Sequence, residues 1–120
     1  MTKLLRADRE CWIWWATRTE CLSALYRRAR AGELTTAQLA AARGRLLRFD
    51  EAAAVVLPSE AIRSRADRLL ATHPLRAADA LQLAALLAAA EERPAGFPFV
   101  TLDDRQADAA RKEGFSVVPD

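Results

Sequence analysis

The chain has 120 residues and a mass of 13.2 kDa, with 52% hydrophobic and 28% charged residues. These values fit one folded domain spanning residues 1–120 with a core of its own, and they argue against a disordered chain. Net charge is only +2, yet 16 of the 18 basic residues are Arg; Arg suits bidentate phosphate contact, although joint Arg and Ala enrichment is first accounted for by a GC-rich genome.

The first ten residues are too few and too charged for a signal peptide, and no apolar run reaches membrane-spanning length. A cytoplasmic protein with no membrane partner is expected. Cys11 and Cys21 have no CxxC or Cys/His spacing around them, which predicts buried thiols in a reducing compartment.

Residues 11–16, Cys-Trp-Ile-Trp-Trp-Ala, are apolar at both alternating sets of positions, as in a strand covered on both faces within a parallel sheet. Trp12, Trp14 and Trp15 accordingly read as core in preference to base-stacking surfaces. Thr17 and Glu20 have the spacing of a capping box and open a helix with Leu22, Leu25, Tyr26 and Ala29 on one stripe, which Gly32 ends. Thr35 with Gln38 repeats the box, and Leu39, Ala42, Leu46 and Phe49 predict a second helix packed on the first as a hairpin. Arg27, Arg28 and Arg30 complement the dipole at the end of the first helix; with Arg43, Arg45 and Arg48 on the second they read as a solvated face.

Ala53 to Leu57 is a short apolar strand stopped by Pro58, and Pro58-Ser59-Glu60 opens a helix running to about Leu70. His73 is the only histidine and precedes Pro74, so it supplies neither a Cys/His metal site nor a triad and reads as a loop or cap residue. Leu75 to about Ala90 is nearly all apolar except for Arg76, Asp79 and Gln82, which predicts a central helix with one polar edge. After Pro94 and Gly96 come a strand over 97–102, a helix over 103–113, Gly114 and a last strand over 115–118. Alternating strands and helices imply an α/β open sheet with right-handed crossovers.

Glu20 and Asp103 each follow a predicted strand, where ligands of open α/β sheets collect. Asp79 lies near the start of the buried helix and needs either solvent or a partner there. Carboxylates gathered at such a crevice suit a hard divalent cation and metal-assisted phosphodiester chemistry. Each also has a structural explanation: Glu20 completes a capping box with Thr17, Asp103 caps the last long helix with Gln106, and Asp79 belongs to a solvated edge.

Taken in order, these motifs resemble the PIN-domain nucleases, and in particular the VapC-like toxins of bacterial toxin–antitoxin systems. The longest match is Leu75-Arg76-Ala77-Ala78-Asp79-Ala80-Leu81-Gln82-Leu83-Ala84-Ala85, which is similar to that family's third-acid motif. Phe99-Val100-Thr101-Leu102-Asp103 resembles the strand-end acid that closes the site, and Glu20 within Thr17-Arg18-Thr19-Glu20 corresponds to an earlier helix acid. The resemblance implies a PIN-like parallel sheet flanked by helices, and Mg²⁺- or Mn²⁺-dependent endoribonuclease activity on RNA, with structured RNAs such as tRNA among the targets. It further implies homodimerisation and inhibition by a cognate VapB-like antitoxin. Glu20, Asp79 and Asp103 are then the metal-holding, catalytic acids, with Asp104 the neighbour able to stand in for Asp103.

The family's first strand, central in its sheet and ending in an Asp, has no counterpart here, because no apolar strand precedes Asp8. The expectation is a domain shortened at its N-terminus, either through a start codon assigned too late or as a catalytically inactive module that binds or regulates a protein partner. Without that strand, its neighbours should close directly on one another, leave a gap, or borrow an edge from another chain. An intact five-stranded sheet would contradict the alignment.

Overall fold

In a computed structural model of the chain, the structure describes residues 11–95, 97–101 and 104–118. The elements, in chain order, are β1 (Trp12–Trp14), α1 (Thr17–Arg30), α2 (Thr36–Ala52), β2 (Ala54–Val56), α3 (Glu60–Thr72), α4 (Ala77–Ala89), β3 (Pro98–Val100), α5 (Asp104–Lys112) and β4 (Ser116–Val118). The alternation read from the sequence is present throughout.

The strands do not form one sheet. β1 pairs in parallel with β2, aligning Trp12 with Ala54 and Trp14 with Val56. β3 pairs in parallel with β4, aligning Pro98 with Ser116 and Val100 with Val118. Among the described residues the result is two separate two-stranded sheets, a mixed α/β arrangement with two short parallel ladders in place of the single open sheet expected from the alternation. What joins the ladders is a shared core: Trp14 of β1, Phe99 of β3 and Val117 of β4 belong to one buried cluster with Leu83, Leu86 and Leu87 of α4. Helix α4 is central, as its composition predicts, and it packs against β1, β2, α3 and α5. Leu83, Leu87 and Phe99 are the largest fully enclosed side chains. Phe115 stacks obliquely on Phe99 at a ring separation of 5.3 Å and meets Phe97 edge-on at 6.1 Å.

Local chemistry explains most helix boundaries. The Thr35 hydroxyl accepts from the Gln38 backbone N–H at 3.1 Å, and Gln38 Oε1 accepts from the Thr35 N–H at 2.9 Å, completing the expected capping box. Ser59 caps α3 by accepting from the Ile62 N–H. Gly32 and Gly114 both take positive φ after a helix end, and at Gly114 a Cβ would stand 3.0 Å from Pro94. The box expected at Thr17 is absent: Ala16 occupies the cap position, in helical conformation, and no side chain caps α1. Helix α1 leaves β1 after only two intervening residues, so the chain is already helical where a cap must be extended.

Three further expectations are corrected. Cys11 and Cys21 are both half-buried, not enclosed. Of the three tryptophans only Trp14 is fully in the core; Trp15, just past the end of β1, is 58% exposed. His73 is the C-terminal cap residue of α3, as read, yet it is buried, with Nε2 2.8 Å from Glu113 Oε2. Arg65 joins that pair: its Nη2 donates to Glu113 Oε1 at 3.3 Å and its Nε lies 3.2 Å from Glu92 Oε1. Glu91 and Glu92 both have positive φ, a conformation that costs a non-glycine residue about 1 kcal/mol, and the Arg65 ion pair helps hold Glu92 there. The arginines of α1 and α2 are exposed, as expected. Among the described residues no helix is long and apolar enough to cross a membrane.

Candidate functional site

Glu20 sits one turn into α1, which starts just beyond the carboxyl end of β1, and Asp79 sits in the first turn of α4. Since α4 packs on β1, these two helix entrances converge. Glu20 is exposed as a residue, yet partial burial of its carboxyl and, second, the charge of Asp79 push its pKa above the ordinary value. Burial and the Glu20 charge likewise raise the Cys21 thiol, so Cys21 is not an activated nucleophile.

Glu20 is free of the capping role that explains it most simply, while Asp79 is half-buried on the polar edge of α4. Glu20 completes no capping box, because α1 has none, and its backbone N–H is spent on the Ala16 carbonyl. Helix α4 is capped by no side chain either. Neither acid forms an ion pair or hydrogen bond among the described residues. Arg18, beside Glu20, turns instead to Asp50 of α2 at 3.4 Å. Two neighbouring carboxylates without a cationic partner repel, and a hard divalent cation is the chemistry that converts such a pair into an attraction. An all-carboxylate donor set suits Mg²⁺ or Mn²⁺ and not a thiolate- or imidazole-seeking ion.

The third acid expected here, Asp103, lies outside the described residues, as does Asp8. Asp104 is described and exposed in the first turn of α5. Among the described residues no group of three or more His, Cys, Asp or Glu side chains is arranged to hold a metal ion; the site as described is a two-acid site. No family model matches the chain, and no curated protein matches it. The site therefore rests on its own geometry.

Two polar features of this region escape a motif reading. The Thr17 hydroxyl, one helical turn before Glu20, is buried and has no hydrogen-bond partner among the described residues, which a capping assignment conceals. A chain of side-chain hydrogen bonds also runs from the end of β3 to α4: Thr101 Oγ1 donates to Gln106 Oε1 at 2.8 Å, and Gln106 Nε2 donates to Gln82 Oε1 at 3.0 Å. A signal for the second was present in the sequence, since Gln106 falls on the Ala107, Ala109 and Ala110 stripe that α5 buries.

Proposed function

We propose that this chain is a PIN-type ribonuclease domain of the VapC-like kind, hydrolysing RNA phosphodiester bonds with Mg²⁺ or Mn²⁺ held by Glu20, Asp79 and Asp103. The observation that carries the reading is the meeting of Glu20 and Asp79, from two separate helix entrances, with neither carboxylate used for capping or ion pairing. The mixed α/β arrangement with parallel ladders and a central α4 is compatible with it, and the motif around Asp79 supports it most specifically. A bound cation supplies charge neutralisation of the scissile phosphate and a more acidic water. The chain's own share is to fix the acids on rigid helix starts, so that little ordering is left for the moment of binding. The reading further assigns a cytoplasmic location, a VapB-like antitoxin as partner and a homodimer as the assembly.

The deciding experiment is cleavage of a labelled structured RNA, such as tRNA, by the chain with Mg²⁺ or Mn²⁺ and with EDTA. Metal-dependent cleavage reduced about 100-fold or more by Asp79→Asn is the expected result, the scale on which loss of a transition-state electrostatic contact acts. A second reading, an inactive PIN-like module that binds a protein partner, is favoured by the hairpin of α1 and α2, in which no residue is fully buried. It predicts antitoxin binding with no cleavage by either the parent chain or Asp79→Asn.

A further inference from the structure

Gln106 is one of two polar side chains buried among the described residues, and an enclosed amide is costly unless both of its ends are bonded. Both are: the oxygen takes the Thr101 hydroxyl and the nitrogen gives to Gln82. These bonds have a direction. Because Gln106 presents its nitrogen, Gln82 must turn its carbonyl oxygen inward, which sends its own NH₂ outward. That nitrogen makes no hydrogen bond among the described residues and is not buried. Gln82 follows Asp79 by three positions on α4, so the two share one helical face.

Carboxylates and phosphates are both acceptors only, so an RNA strand that enters beside Glu20 and Asp79 finds no hydrogen-bond donor in the acids themselves. An Arg or Lys placed there would pair with Asp79 and compete with the cation. A neutral amide supplies donors without that competition. We propose that Gln82 is an RNA-binding residue of this site, its outward NH₂ donating to a non-bridging phosphate oxygen of the strand, with Thr101 and Gln106 as the positioning residues that hold it in that sense. The inference rests on the ribonuclease reading, and it assigns a role to a residue outside the acids.

The test measures binding of a fluorescently labelled single-stranded RNA by anisotropy, with Ca²⁺ in place of Mg²⁺ to suppress cleavage, and turnover in Mn²⁺. Gln82→Glu is the informative variant, since it keeps an acceptor for Gln106 Nε2 and so preserves the buried chain, while exchanging the outward donors for a negative charge. Gln82→Leu removes the donors without adding charge. The expected result is RNA binding weakened about tenfold or more by Gln82→Leu, the worth of one hydrogen bond to a charged acceptor, and further by Gln82→Glu at an unchanged melting temperature. In turnover the loss appears in KM and not in kcat. Binding by Gln82→Glu as tight as the parent's overturns the inference and leaves the ribonuclease reading standing. A parent chain that neither binds nor cleaves RNA overturns both.

Discussion

The hairpin of α1 and α2 and the block formed by α3, α4, β3, α5 and β4 are built on opposite principles. The two hairpin helices together contain no fully buried residue, whereas α4 alone buries six, Ala80 and Leu83 to Leu87. Charge follows the same division. The Arg18–Asp50 pair between the hairpin helices lies at the surface, while His73, Arg65 and Glu113 meet in a largely enclosed network that ties α3 to the end of α5. Stability is concentrated in the second block, and the hairpin is an attachment to it. The candidate site sits on the seam, with Glu20 from the hairpin and Asp79 from the block.

Core truncation is expected to give the largest contrast. Phe99→Ala in the block should cost about 3 to 5 kcal/mol, and Phe49→Ala on half-buried α2 only about 1 to 2 kcal/mol, as read from urea unfolding. Equal losses would erase the distinction. Next, Glu113→Ala strands the His73 ring and leaves Arg65 only its pairing with Glu92, and should cost about 1 to 3 kcal/mol, against roughly 0 to 1 kcal/mol for Arg18→Ala at the surface pair. Thermal melts of the two variants side by side check this order.

The smallest effect concerns the seam and depends on pH. Below the ordinary carboxyl range Glu20 is neutral in the folded and unfolded chain alike and costs nothing. As pH rises the unfolded chain ionises first, because the folded value is raised, so stability falls until the folded group has ionised as well. Glu20→Gln should therefore match the parent in acid and exceed it slightly at neutral pH. Added Mn²⁺ should reverse that order by stabilising the parent alone. Melting curves across pH, with and without metal, read both parts; a variant that never overtakes the parent removes the repulsion from the seam.

Legibility in the sequence follows the same division. Elements defined by local rules were readable: the Thr35 box, the Ser59 cap, the glycine stops and the apolar run of α4 all depend on residues within a few positions. Thr17 defeated the local rule because the preceding strand leaves no extended residue to act as cap. The paired ladders were not readable, since short apolar segments do not declare how many neighbours each will find. His73 reads in the sequence only as a loop or cap residue because its partner, Glu113, lies 40 positions away. At the site, Glu20 and Asp79 were legible as acids at helix entrances, but their proximity comes from α4 lying against β1.

The link from His73 and Arg65 to Glu113 also bears on the order in which the molecule matures. Its hydrogen bonds span 40 and 48 positions, so on a ribosome α3 emerges well before the residue that bonds Arg65 and His73 at its end. The hairpin, closed by near neighbours, can condense early, while the block stays unlocked until the last helix arrives. A nascent chain halted before Glu113 would carry a formed hairpin and a core still lacking the bonds of His73 and Arg65 to Glu113.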